Sequence, residues 1–318
     1  GKESLYADMT YAKTEVKPQY GGYTILVTFK EEIVLPEVPK QSKRILGIDV
    51  GVDNLAAVAN NFGDMPFLIK GGALKSMNQK FNKQRAKLLS EVTKGSDSTH
   101  SRKETKRLQA LSRKRDTFLR DFFYKTAWYL VRYAKKHQVD VIVIGHNEDQ
   151  KQNIRIGKQN NQNFVSIPFC LFIKILRNTA AKVGIPVADR EESYTSKASL
   201  LDLDTIPTYR KGNTQAYTFS GKRVHRGLYK TNSGCVINAD INGAGNILRK
   251  ELALCRIKHC AGDSPYHVIQ KSVRADLQLQ QLTAAGDAAV VDGAHRAADV
   301  STHAAHGGKV VRALKGAA

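Results

Sequence analysis

The sequence predicts an α/β protein built around one mixed β-sheet, and three features of the chain carry that prediction. From Arg44, RILGIDV reads as a short apolar strand ending on an acid, LAAVA as a second strand and PFLI as a third, a run that suits short antiparallel pairing. Further on, DVIVIG at 140–145 is a fully apolar strand, PFCLFIKILRNTAAKVG a helix and IPVA another strand, the alternation of a β-α-β unit. A last helix is expected to begin near Ala239 and to run through NGAGNILRKELAL. Antiparallel strands with an acid in the first, followed by β-α-β, are the layout of an RNase H-like sheet.

The remaining elements fall around that sheet. Residues 1–43 alternate in the β manner, as in GGYTILVTFKEEIVLP, with Gly21-Gly22 as the turn signal and Pro36 and Pro39 closing the segment, so they read as the last hairpin of a β-module. Residues 71–137 form an inserted pair of helices around the break KGSDSTHS. In the second helix Leu108, Leu111, Phe118, Phe122, Thr126, Leu130 and Ala134 recur at steps of three, four or seven and mark one buried stripe. Residues 195–238, rich in Lys, Arg, Tyr and Gly, lack a helical period and read as a loop or small β-insert. The stretch 251–318 turns rich in Ala, Gly and His beyond Cys260 and is expected to be a disordered or loosely helical tail. Its scattered His295, His303 and His306 have no accompanying pair of thiols or acids, so they are not expected to ligate metal.

Charge points to a partner. The 318 residues carry 50 Lys and Arg against 29 Asp and Glu, a formal charge of +21, and a field of that sign attracts polyanions. Between Gly71 and Lys135 alone there are 17 basic residues against 5 acids, which favours contact of the helical pair with a phosphate backbone. Lys103, Lys106, Arg107, Arg113, Lys114 and Arg115 crowd one segment of it and are the expected nucleic-acid contacts. The four cysteines Cys170, Cys235, Cys255 and Cys260 do not make a disulfide framework, and no apolar run approaches the roughly 20 residues of a membrane span. An intracellular protein is expected, and its opening GKESLYADMTYAK, without an initiator Met or a signal-peptide layout, reads as a piece of a longer protein with modules before it.

Two acids stand where chemistry can be built. Cleavage of a phosphodiester by two metal ions needs carboxylates from separate elements converging on Mg²⁺ ions about 4 Å apart. Asp49 ends an apolar strand in GIDVGVDN, beside a glycine that lets a substrate backbone come close. Asp240, in INADINGAGNIL, enters at the start of a helix with small residues behind it, although an acid there also suits the free amides of a helix N-terminus.

Five blocks, taken in order, resemble successive segments of the TnpB (OrfB) family of transposon-encoded proteins, relatives of compact type V CRISPR effectors and of Fanzor. They are GIDVGVDNLAAVANNFG; the basic pair with RDFFYKTAWYLVRYA; VIVIGHNEDQKQN followed by NNQNFVSIPF; EESYTSKASLLD; and SGKRVHRGLYKTNSGCVINADINGAGNILRK, spread over about Gly21 to Arg249. The resemblance implies a RuvC nuclease domain over 44–250, with 71–137 and 195–238 as inserts and residues 1–43 as the end of a β-barrel wedge module. It also implies an RNA guide, target DNA, and Mg²⁺-dependent DNA cleavage in transposition and recombination. Asp49 and Asp240 match the first and last acids of the nuclease motif.

The chain departs from the pattern twice. Many relatives end the middle strand on a glutamate, but here that position is Gly145, with Glu148 beyond it. Glu192, just after IPVA, is the expected third acid, with Glu148 and Glu191 as alternatives, since strand alternation turns only one of Glu191 and Glu192 inward. Relatives also often carry a four-cysteine zinc ribbon before the last Asp, whereas this chain has Ala198 in TSKAS and only Cys235 in the second half, so no structural zinc is expected. Beside the endonuclease stand two alternatives: a nuclease-dead RNA-guided DNA-binding repressor, and an inactive fragment.

Overall fold

A computed structural model describes residues 10–30, 36–39, 42, 44–94, 105–145, 167–209, 215–254 and 269–270. Its centre is a five-stranded sheet in the order β5-β4-β3-β6-β7. These strands are β3 (Ile45–Asp49), β4 (Asn54–Asn60), β5 (Phe67–Lys70), β6 (Val141–Gly145) and β7 (Val187–Arg190). β4 runs antiparallel to β3 and β5, whereas β6 runs parallel to β3 and β7 to β6. The expected RNase H-like mixed sheet is therefore present. β3 and β6 lie at its middle because their side chains are apolar on both faces, which suits strands covered on both sides.

Alternation of side chains divides the core in two. Leu46, Ile48, Val58, Ile142 and Ile144 pack beneath α2 (Lys106–Lys136) and α3 (Phe169–Ala181). Ile45, Ala57, Ala59, Val141 and Val143 pack beneath α4 (Ala239–Leu254). The stripe of α2 is buried at Leu108, Phe122, Thr126, Leu130 and Ala134 as expected, while Leu111 and Phe118 remain partly exposed. Thr105 caps this helix by accepting from the Leu108 N–H at 3.3 Å, and Lys135 and Lys136 complement the dipole at its other end.

The inserted helical pair is α1 (Gly72–Thr93) and α2, tied by Arg115, whose Nε donates to Asn78 Oδ1 at 2.7 Å and whose guanidinium lies over Phe81. The hairpin of β1 (Thr10–Gln19) and β2 (Gly22–Lys30) leans on α2 through a hydrogen bond from the Tyr20 hydroxyl to Asp116. Its two-residue loop is Tyr20-Gly21, both with positive φ (54° and 71°), one residue earlier than the expected Gly21-Gly22. Left-handed φ at both loop positions matches the twist of paired strands, and Tyr20 adopts it despite its side chain.

Three further differences concern boundaries. The strand expected at IPVA runs over Val187–Arg190 instead, because Pro186 has no N–H for the ladder and contributes only its carbonyl, to Ile142 N at 3.0 Å. The 195–238 stretch holds a three-stranded antiparallel sheet of β8 (Lys222–His225), β9 (Leu228–Lys230) and β10 (Val236–Asn238), the small β-insert. α4 continues past residue 250, and beyond it Ile269 is buried in the second core while Gln270 donates to the Leu201 carbonyl at 2.7 Å. The rest of the 255–318 stretch, with its histidines, lies outside the described residues. Among the described residues no helix is long and apolar enough to cross a membrane.

Two buried asparagines of α4 anchor the turn that leads into the insert. Asn242 accepts from Leu200 N at 2.9 Å and donates to Ala198 O at 2.8 Å, and Asn246 donates to Ala198 O at 2.7 Å and Thr195 O at 2.9 Å. Asn242→Leu should cost about 1–3 kcal/mol, since it strands a buried N–H. Chemical denaturation of the pure protein checks this, and an unchanged midpoint and slope would show that the turn is anchored otherwise.

Candidate active site

The register of the sheet brings separate acids to one edge. Ile48 pairs with Ile144 and Gly145 with Arg190, so Asp49 at the end of β3, Gly145 at the end of β6 and the two residues after β7, Glu191 and Glu192, all emerge where the parallel strands finish. α4 packs across the same end. A Cβ on Gly243 would collide with the Asp49 carboxylate, so Asp49 fits against the helix only because residue 243 has no side chain.

Asp240 stands in the first turn of α4 but does not cap it. That task falls to Asn238, whose Oδ1 accepts from the N–H of Asp240 at 2.9 Å and of Ile241 at 3.2 Å. The Asp240 carboxylate is left to accept from Asn54 Nδ2 at 2.7 Å and to face Arg223 of the β-insert at 3.5 Å. Sequence reasoning missed Asn54, Arg223 and Asn238. An Asn just before a helix start is a capping signal, but nothing local in KRVH marks Arg223 as a neighbour of an acid so far along the chain.

Glu191 and Glu192 part company just beyond the end of β7. Glu191 turns to α4, where Lys250 Nζ reaches its carboxylate at 2.6 Å. Burial alone would raise its pKa, but Lys250 and Ser193 outweigh that and hold it below the ordinary range. Glu192 turns inward instead: a Cβ built on Gly145 would meet its Oε2 at 3.1 Å. The carboxylate thus borders the volume that a side chain at 145 would fill, and Ile247 crowds the same space. Glu148 lies outside the described residues.

These acids feel one another. The Asp49 carboxyl is pushed up to about 8 by burial first and then by the charges of Asp240 and Glu192, with Arg223 and the Val50 N–H acting the other way. Glu192 is pushed up to about 7 by burial and by Glu191, against Lys250. Three carboxylates of hard oxygen donors with mutual repulsion are a donor set that suits a divalent cation such as Mg²⁺. They are not drawn into a closed cage: among the described residues no three of His, Cys, Asp or Glu are gathered tightly enough to enclose a metal ion. Asp53 plays another part. Burial would raise it, yet Lys75 and Arg226 hold it low, and its ion pair with Arg226 at 2.5 Å joins the insert to the sheet end.

The basic segment of α2 divides likewise. Lys106, Arg107, Arg113 and Lys114 are exposed, whereas Arg115 is spent on Asn78, Asp116 and Phe81 within the helical pair and does not belong to the outward set. Lys103 lies outside the described residues.

Residues 14–151 match the sequence family OrfB_IS605, described as a probable transposase. Comparison with curated proteins gave no match. Among solved structures, the chain is similar to a Cas12f1–sgRNA–target DNA complex, with a TM-score of 0.46 and 21% identity over 75% of this chain and 56% of that one. It is also similar to a CRISPR-Cas12f ternary complex (TM-score 0.46, 17% identity, 74% of this chain and 44% of that one). A third similarity is to the mini-RNA-guided endonuclease CRISPR-Cas-phi3 (0.44, 13%, 76% and 51%). The chain thus spans about half the length of these proteins.

The raised carboxyls make stability depend on pH. Asp49 and Glu192 hold protons more tightly folded, at about 8 and about 7, than unfolded, at about 4. Their contribution is therefore complete below about pH 4 and is lost as pH rises through about 7 to 8. In chelator, thermal unfolding should show this loss, and Asp49→Asn should flatten it. An Asp49→Asn protein with the parent's pH slope would contradict the clustering.

Proposed function

We propose that this chain, whose residues 14–151 match a probable-transposase family, is the nuclease core of a TnpB-like RNA-guided DNA endonuclease. It hydrolyses phosphodiester bonds with Asp49, Glu192 and Asp240 as ligands of two Mg²⁺ ions, and it works with a guide RNA and target DNA. One observation carries this reading: β3, the β7 edge and the start of α4 bring Asp49, Glu192 and Asp240 to one sheet end, where burial and then the charges of Asp240 and Glu192 raise the Asp49 carboxyl. When bound, Mg²⁺ supplies charge stabilisation at the phosphate and activates the attacking water.

The chain's own residues supply the rest. Asn54 orients Asp240, Gly243 leaves room for Asp49, and the absence of a side chain at Gly145 leaves room for Glu192. Arg223, on an insert pinned by Arg226 to Asp53, places a cation at the mouth of the cluster where a phosphate would enter. Exposed cations of α2 hold the nucleic-acid backbone. On this reading β1 and β2 belong to the wedge module and residues 44–250 to the nuclease domain. A nuclease-dead guided DNA binder is the second reading, favoured by the open rather than caged arrangement of the acids.

Asp49→Ala, Asp240→Ala and Glu192→Gln should each abolish Mg²⁺-dependent cleavage of a guide-matched DNA while leaving nucleic-acid affinity nearly intact, because affinity comes from dispersed cations. Binding without cleavage by the parent protein would establish the repressor instead. Sequencing RNA that co-purifies with the protein tests guidance: a discrete species is expected, and bulk cellular RNA would count against it.

Replacing Lys106, Arg107 and Lys114 by Gln should lower the slope of log affinity against log salt by up to about 2–3, at roughly 0.7–0.9 per lost phosphate contact. An unchanged slope would make this segment an ordinary solvated face. Arg115→Gln should reduce stability rather than the slope.

A further inference from the structure

α2 buries one face and shows another of unusual composition. Opposite Phe122, Phe123, Thr126 and Leu130, the residues Arg120, Tyr124, Trp128 and Arg132 follow one another at steps of four, with Lys135 beside them, and all five are exposed. Steps of four on a helix advance about 6 Å and keep neighbours in contact range. Tyr124 is 50% and Trp128 49% exposed. Trp128 is the only tryptophan of the chain. Rings of this size usually contribute their area to a core or an interface. The acid on this face, Asp121, is paired with Lys125 at 2.7 Å, so Arg120, Arg132 and Lys135 set the sign of the field around the two rings.

We propose that Arg120, Tyr124, Trp128, Arg132 and Lys135 form a stacking platform for an unpaired stretch of RNA. Flat rings offer a face to any base, and flanking guanidinium and ammonium groups meet the phosphates on either side, the combination that holds single strands without reading sequence. A second copy of the chain is a poor occupant, since pairing this face with itself would oppose cations to cations in a molecule of charge +21. A strand being cut must reach the carboxylates at the sheet edge. The Trp128 face instead looks to solvent from the helical layer that covers the sheet face opposite α4, so it suits a strand that is held and not cleaved. The inference rests on the RNA-guided reading above and adds the place where part of that RNA lies.

Because Trp128 is unique, its fluorescence reports on this face in the intact chain. Titration with a single-stranded RNA oligonucleotide should quench Trp128 emission, with salt restoring it. Tyr124→Ala, at an exposed position, should weaken RNA binding by about five- to a hundredfold, the equivalent of one stacked base. Labelled RNA that binds by anisotropy with no change in Trp128 emission would overturn the platform while leaving RNA guidance standing. No RNA binding at all would overturn both. Quenching by single-stranded DNA but not by RNA would overturn the assignment to RNA. A blue shift that grows with protein concentration alone would show a self-interface instead.

Discussion

The arrangement depends on how closely α4 approaches the end of β3. The Asp49 carboxylate rests where a side chain at Gly243 would be, and the small residues Ala239, Gly243, Ala244 and Gly245 let the helix lie flat on the sheet. A close-packed interior leaves little slack, so this one contact fixes the depth of Asp49, the position of Asp240 one turn earlier and the path of the 193–204 turn that Asn242 and Asn246 hold. Bulk at this seam would be felt by all of them.

That packing places like charges together, which folding alone would avoid. Burial and neighbouring acids raise Asp49 and Glu192 against the pull of Arg223, which is half exposed, and of Lys250, which also serves Glu191. Strain of this kind concentrates at functional sites. The sheet tolerates it because its two cores, one under α2 and α3 and one under α4, are apolar almost throughout.

Much of this was legible in the sequence because its causes are local. The apolar strands at Ile45 and Val141, the period of α2 and the strand-end position of Asp49 follow from side-chain pattern. The sequence separates Glu192 from Glu191 by strand alternation, and in the structure one is held low by Lys250 while the other is raised by burial. What stayed hidden depends on contacts distant in sequence. Arg223 and Asn54 meet Asp240 only through the fold, and Arg115, one cation among many in SRKRD, turns inward because Asn78 and Phe81 of another helix await it. The beginning of β7 moved because Pro186 lacks a donor, and the hairpin turn moved because Tyr20 accepts a left-handed φ.

On the proposed reading, Glu192 supplies the acid that Gly145 cannot. Calorimetric titration of Mn²⁺, as a stand-in for Mg²⁺, into the parent protein, Glu192→Gln and Glu191→Gln tests it directly. Binding should be lost or strongly weakened in Glu192→Gln and kept in Glu191→Gln. Parent-like binding by Glu192→Gln would contradict it.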